Sequence, residues 1–371
     1  MAEGKVLKFT APMVEVANDF GGAVKTSDVA SAPKDGIEVE FKRIENWDGI
    51  GQKPIDKVLD FLRTDDNGSR MVLDNARQET LFTRQLDKPG KPLAKENVSL
   101  RFRYGTILKN IELCLKWNVV DPMDASRTER YECCVGMESD DLPPDFEALK
   151  AKYNPANDPT KHPKVYEALC AKIAEIEAIP GDFATSYDIK AERRSYIVTL
   201  NDMDRKTLGL VHAEDVAEED KKTIFIELIH DTVSYWDEKA KKWCAEHDEL
   251  EDEVLTKQDE FIDADGRFIA RNLTTQNVCD IQKHFQSLVA SVAGSGLETT
   301  LRSKSERAHV FACHMESARM KYPNMPAPAK LTLAMIEAPV DAFLQACDDA
   351  MPAQNEPAAD WAGLARRIDL I

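Results

Sequence analysis

The most constraining feature of the sequence is a long stretch without helix-breaking residues: no Gly or Pro occurs between Gly209 and Gly266. Large side chains recur within it at steps of three or four residues, at Phe225, Ile229, Val233, Trp236, Ala240, Trp243, His247, Leu250 and Val254. Such spacing is typical of one face of a helix. We therefore expect a long helix over 223–257, roughly 50 Å in length at ~1.5 Å per residue.

This helix has two interpretations. It can be a core helix with a solvated outer face, or part of it can project and pair with a second copy of the chain. The second interpretation predicts a homo-oligomer, and its contact residues would be Phe225, Ile229, Val233, Trp236, Trp243 and Leu250.

The first part of the chain has a different pattern, in which apolar and polar residues alternate with a period of two. Alternation of this kind predicts strands, and it occurs at 37–42, 100–104, 111–117 and 130–137. We expect an α+β fold, with an N-terminal β-rich domain (barrel-like or sandwich-like) followed by a mainly helical half. The predicted organisation is an N-terminal arm (1–36), the β-rich domain (37–137), a Pro-rich acidic connector (138–163), an α/β segment with the long helix (164–272), a helical region (273–351) and a C-terminal tail (352–371).

Composition limits the classes of function. The formal net charge of −18 opposes adhesion of the whole surface to nucleic acid or membrane. No apolar run approaches the ~18 residues of a spanning helix, and residues 1–12 lack the apolar core of a secretory signal. We expect a cytoplasmic protein, of a cell or a virus-infected cell, without a membrane partner.

The sequence contains no linear motif for catalysis, a cofactor or a metal ion. It has no GxxxxGK[ST] loop and no GxSxG elbow. The eight Cys are scattered without a CxxC pair, so reduced thiols are the default expectation. We therefore predict no catalytic residue, no metal site and no cofactor.

One stretch of this acidic chain is cationic. Between Leu81 and Trp117 the chain carries eight Lys or Arg residues against three Asp or Glu residues. A basic track interleaved with aromatic side chains is typical of single-stranded nucleic-acid binding. The candidate contact residues are Lys42, Arg43, Trp47, Arg101, Arg103, Tyr104, Lys109, Lys116, Trp117, Arg193 and Arg194.

The pleat of a strand argues against this interpretation, because Arg101 and Arg103 point away from Phe102 and Tyr104. One face can be core and the other solvent. The leading hypothesis is nevertheless a non-enzymatic, oligomeric protein that binds single-stranded nucleic acid, with the apolar end of the tail as a contact for a protein partner. The alternative is a structural assembly subunit, viral or filament-like, that uses the arm and the long helix as contacts. A third alternative is an enzyme on a fold that carries no linear motif, which a pocket of converging carboxylates or histidines would favour.

Overall fold

The computed structural model describes residues 36–47, 49–63, 71–105, 111–119, 128–136, 146–156, 163–199, 224–256, 261–262, 268–269 and 275–350. The expectations for the N-terminal arm up to residue 35 and for the tail after residue 351 lie outside these ranges.

Antiparallel strands dominate both halves of the described chain. The strands are β1 (Gly36–Glu45), β2 (Met71–Asp87), β3 (Ser99–Gly105), β4 (Ile111–Asn118), β5 (Thr128–Gly136), β6 (Ala184–Thr199), β7 (Ile224–Asp237), β8 (Lys242–Thr256), β9 (Phe261–Ile262), β10 (Phe268–Ile269) and β11 (Leu297–Thr299). Nine of them form one sheet in the order β11-β1-β5-β4-β3-β2-β6-β7-β8, and β9 pairs with β10.

The two ends of the large sheet meet at β1. The first half of β1 pairs with β5, whereas Phe41 to Ile44 pair with Asp252 to Glu249 of β8. Eight strands therefore form a continuous ring, which gives the sheet an inner and an outer face. Because side chains alternate along a strand, neighbouring residues of each strand point to opposite faces.

Helices pack on both faces of this ring. They are α1 (Pro54–Arg63), α2 (Pro92–Lys95), α3 (Phe146–Lys152), α4 (Pro163–Ala178), α5 (Thr275–Ala293), α6 (Lys304–Lys321), α7 (Leu333–Glu337) and α8 (Val340–Ala350). Helices α3 and α4 bury the outer face of β3, β4 and β5, with Leu100, Phe102, Leu113 and Leu115 in that core. Helices α1 and α5 bury the outer face of β6, β7 and β8.

Helix α6 packs against the inner face. Its N-terminus is fixed by a capping box, in which Ser303 accepts from the Glu306 N–H and the Glu306 side chain accepts from the Ser303 N–H. Its first turn contacts two separate walls, since Ser305 bonds to Gln85 of β2 and Lys304 pairs with Asp231 of β7. The start of α6 thus lies across the ring.

The predicted long helix over 223–257 is wrong. The stretch forms the hairpin β7–β8, with Asp237 accepting hydrogen bonds from the N–H groups of Lys239 and Ala240 in the turn. A step of four residues keeps side chains on one face of a strand as well as of a helix, so the spacing did not separate the two structures. The absence of Gly and Pro fits a strand interior equally well.

The predicted fold class is wrong for the same reason. Strands β6, β7 and β8 continue the sheet that begins at β1, so a β-rich domain is not followed by a mainly helical half. Among the described residues, none of the helices is both long enough and apolar enough to cross a membrane.

Candidate active site

The inner face of the ring is charged. Alternate residues of the strands place carboxylates and cationic groups there, and α6 adds two more cations. The members of this inner charged cluster are Glu40, Lys42, Arg103, Glu112, Lys116, Arg130, Glu132, Arg193, Asp231, Glu249, Glu251, Lys304 and Arg307. Buried charges are costly unless they are paired, and each of these makes at least one ion pair.

Three carboxylates converge at the β7–β8 side of the interior. The ligand oxygens of Asp231, Glu249 and Glu251 lie within 4.8 Å of one another, and all three residues are buried. Their positions follow from the strand register, which places Asp231 opposite Glu249, while Glu249 and Glu251 are two residues apart on β8. We call these three residues the carboxylate triad.

Cationic side chains surround the carboxylate triad. The Lys304 ammonium lies 2.9 Å from both Asp231 and Glu251 and also contacts Glu249. Arg193 binds both oxygens of Asp231, at 3.0 and 2.7 Å. Lys42 lies 3.1 Å from Glu251, and Arg307 pairs with Glu249.

These contacts keep the groups ionised. Burial alone would raise the pKa of Asp231, but Arg193 and Lys304 lower it overall. Burial would likewise raise the pKa of Glu251, yet Lys304, Lys42 and Arg193 hold it well below its usual range. Burial would lower the pKa of Lys304, and the three carboxylates raise it instead. Asp231 and Glu251 are therefore anionic and Lys304 is cationic near neutral pH.

A second set of ion pairs lies on the β3–β4–β5 wall. Arg103 donates to Glu112 at 2.8 Å, and Lys116 lies 2.9 Å from Glu132. Glu40 contacts both Lys42 and Arg130. Between these pairs, Cys114 of β4 and Cys134 of β5 form a disulfide, which corrects the expectation of reduced thiols throughout.

The arrangement offers two kinds of chemistry side by side. Hard divalent cations such as Mg²⁺ and Mn²⁺ prefer carboxylate oxygens, and the triad supplies such donors. In this structure the Lys304 ammonium lies among them. Arginine and lysine bind phosphate oxygens, and Arg193, Lys42, Lys304 and Arg307 lie around the triad. The interior therefore combines donors for a divalent cation with cationic groups of the kind that bind phosphate oxygens.

The predicted nucleic-acid residues lie on different faces. Lys42, Arg101, Arg103, Lys116 and Arg193 belong to the inner face. Tyr104 and Trp117 are buried on the outer face in the core under α3 and α4, where Trp117 stacks on Tyr131.

The remaining candidates are also dispersed. Arg43 is buried and donates to the Gln286 carbonyl of α5, and Trp47 follows β1, with Lys53 and Lys330 over its ring. Arg194 is exposed on β6, and Lys109 lies outside the described residues. The structure brings the cations together in the interior but separates them from the aromatic rings.

The residues predicted for oligomerisation lie on β7 and β8. Ile229, Val233 and Leu250 are buried in the cores of the chain itself. Trp236 and Trp243 are half-buried and pack edge to face, with ring centres 5.4 Å apart. The side chain of Phe225 lies outside the described set.

Sequence reasoning missed the acidic members of the cluster and the α6 cations. Glu40, Glu112, Glu132, Asp231, Glu249, Glu251, Lys304 and Arg307 were not singled out. The sequence did contain one signal, which is a pair of charged residues on either side of an apolar one. Glu40 and Lys42 flank Phe41 in this way, as Glu249 and Glu251 flank Leu250. Charges at alternate positions of a strand place them on a common face.

The comparisons with known proteins give only low structural similarity, with TM-scores below 0.5. No protein-family model matches the chain, and no curated protein matches it. A putative adenylyl cyclase from Hippeastrum, described as having a dominant triphosphatase activity, is 14% identical with a TM-score of 0.37, over 73% of this chain and 94% of that one. A putative adenylate cyclase from Bacillus halodurans is 12% identical with a TM-score of 0.34, and the match covers 73% of this chain and 98% of that one. A conserved hypothetical protein from Pyrococcus furiosus is 16% identical with a TM-score of 0.32, and the match covers 72% of this chain and 98% of that one.

The prediction of a non-enzymatic protein that binds single-stranded nucleic acid is wrong. Among the described candidates, Lys42, Arg103, Lys116 and Arg193 are ion-paired inside the ring. Tyr104 and Trp117 are buried in the outer core, so these described residues do not form a common platform on which bases could stack. The alternative of a viral or filament-like structural subunit is also wrong, since the long helix on which it depended is a hairpin of the sheet.

Proposed function

We propose that the chain is an enzyme that binds a polyphosphate-type anion with a divalent cation inside the ring and cleaves a phosphoanhydride bond. The single observation that carries this proposal is the carboxylate triad, held beside Arg193, Lys42, Lys304 and Arg307 on one inner wall.

The donor set fits a hard divalent cation. The three carboxylate side chains of the triad are buried and close enough to share one ion. Asp231, Glu249 and Glu251 would hold it, and when bound it would neutralise charge on the phosphate oxygens that it contacts.

The cations of the chain have a separate role. Lys304 already bridges the three carboxylates, so a metal ion at the triad would compete with its ammonium. Lys304 would then turn toward the anion, while Arg193 and Lys42 orient it. Burial strengthens each of these charge interactions because water no longer screens them.

The experiment is an assay of phosphate release from tripolyphosphate and from ATP, with Mg²⁺ or Mn²⁺ and with a chelator blank. Triphosphates are tested first because triphosphatase activity appears in the description of the Hippeastrum protein. We expect metal-dependent release that falls roughly 100-fold or more in Glu251→Gln, as for the loss of a group that stabilises transition-state charge.

The matched control is Glu238→Gln, because Glu238 lies in the exposed turn of the same hairpin, with 74% of its side chain exposed. Its activity should equal that of the original chain. Equal loss in both variants would overturn the proposal, as would the absence of release and of calorimetric binding with both substrates. The predicted cytoplasmic compartment, homo-oligomer and protein partner for the tail stay predictions.

A further inference from the structure

The second wall of the interior holds a cysteine pair with no assigned part in the chemistry above. Cys114 and Cys134 are directly opposite each other on β4 and β5, they form a disulfide, and their exposed fractions are 0% and 6%. Side chains alternate between the two faces of a strand, so Cys134 points inward because the preceding residue, Cys133, lies in the outer core.

A carboxylate accompanies each sulfur. Glu112 and Glu132 lie two residues before Cys114 and Cys134, so both share the inner face. The Cys114 sulfur is 4.0 Å from Glu112 Oε2, and the Cys134 sulfur is 3.7 Å from Glu132 Oε1. The ligand atoms of Glu112, Cys114 and Cys134 all lie within 4.8 Å of one another.

The sulfur–oxygen separations of 4.0 and 3.7 Å are close to those between ligands of one tetrahedral zinc ion. Bonds of about 2.3 Å to sulfur and about 2.0–2.2 Å to oxygen place neighbouring ligand atoms roughly 3.3–3.8 Å apart. The two bonded sulfurs are closer than this, so reduction of the disulfide and rotation of the two side chains would have to precede metal binding.

The charges of the surroundings also balance. Glu112 is paired with Arg103 and Glu132 with Lys116. The charges of these four side chains cancel, so the site has no net charge when both sulfurs are uncharged. A divalent ion that replaces the two thiol protons leaves it neutral again, because its two charges offset two thiolates. Arg103 would orient the Glu112 carboxylate from behind, as outer partners of metal ligands commonly do.

We propose that Cys114 and Cys134, when reduced, bind a divalent metal ion of the zinc class, with Glu112 as the third ligand. Reduction by a dithiol converts the disulfide into two thiols and the reductant into its own disulfide. Metal binding then releases the two thiol protons. The disulfide and the metal are mutually exclusive, so the redox state of this pair decides whether the wall carries an ion. The inference does not depend on the proposed phosphate chemistry.

The test uses the full chain, reduced and freed of reductant without air, and titrated with Cd²⁺ as a spectroscopic probe and with Zn²⁺ against a chromophoric chelator. We expect one ultraviolet thiolate-to-cadmium band in the reduced protein and none in the oxidised protein. The band should disappear in Cys114→Ser and Cys134→Ser, and the zinc affinity should fall at least tenfold in Glu112→Gln.

Two controls address the other cysteines. Cys133→Ser removes a neighbour on the opposite face, and Cys313→Ser removes a thiol that lies 3.7 Å from a His309 nitrogen. Both variants should keep the band. A band that persists in Cys134→Ser, or a reduced protein that shows none, would overturn the proposal. Because serine variants can misfold, alkylation of the reduced original chain provides a second measurement, in which one bound metal ion should protect two thiols.

Discussion

Arg307 of α6 and Glu249 of β8 form an ion pair in which both side chains are fully buried, each with 0% of its surface exposed. Arg307 also donates to the Arg302 carbonyl at 2.6 Å. The pair joins the start of the inner helix to the carboxylate triad, so the position of the helix and the charge of the site are coupled.

Replacing Arg307 with Met should destabilise the fold by about 3–5 kcal/mol, because it removes one of the two cations that pair with the buried Glu249 carboxylate. The measurement is chemical unfolding at neutral pH. Lys241→Met is the control, since the Lys241–Glu238 pair is exposed and should contribute about 0–1 kcal/mol. A loss below about 1 kcal/mol in Arg307→Met would show that Lys304 alone satisfies Glu249.

His247 should make stability depend on pH. Burial is the main cause that lowers its pKa to about 3, and Arg307 adds to the effect. In the unfolded chain the pKa is about 6.5, so between these values the unfolded state binds a proton that the native state does not. The contribution of neutral His247 to the free energy of unfolding is therefore fully present above about pH 6.5. As the pH falls toward 3, this contribution should decrease by up to about 1.4 kcal/mol per pH unit.

The comparison that isolates this contribution is unfolding of His247→Phe at pH 7 and pH 5. The variant should lose less stability between the two pH values than the original chain does. An unchanged slope in His247→Phe would contradict the prediction.

Asp237 should have two separable roles in the β7–β8 turn. It accepts from the N–H groups of Lys239 and Ala240, and Arg319 of α6 binds both of its oxygens at 3.0 and 2.6 Å. Asp237→Asn retains an acceptor for the turn but removes the charge, whereas Asp237→Ala removes both. We expect a loss of about 1–3 kcal/mol in the Ala variant and a smaller loss in the Asn variant, measured by thermal and chemical unfolding. If both variants lost the same free energy of unfolding, the whole contribution of Asp237 would come from its ion pair with Arg319.

Reduction of the Cys114–Cys134 bond should lower stability by about 3 kcal/mol, because the bond closes a segment with a sequence separation of 20 residues in the unfolded chain. Unfolding with and without a reductant measures this change. Cys134→Ser should be insensitive to the reductant, whereas Cys133→Ser should respond as the original chain does.

Sequence patterning located the strands that bury an apolar outer face. Leu100, Phe102 and Tyr104 alternate with polar residues, and the predicted strand there is β3, with all three side chains in the core under α3 and α4. Here the rule of alternation applies because one face is apolar and the other is not.

The same rule failed on β8 because its inner face is polar and buried. Glu249 and Glu251 look like solvent-exposed residues in a sequence, and only the ring places them against Lys304 and Arg307. Those cations lie more than fifty residues further along the chain, so no local pattern connects them to their partners. The proposed site could therefore not be assembled from the sequence, although its alternating charges were visible.

The pairing of β1 with β8 has a consequence for biosynthesis. Phe41 pairs with Asp252, about 210 residues later in the chain, and contacts of such long separation slow folding. A ribosome must therefore deliver β8 before the ring can close, and the nascent β1 must wait with one edge unpaired. During that interval the exposed edge is a site for pairing with other chains, so chaperone contact is most needed before residue 256 has emerged.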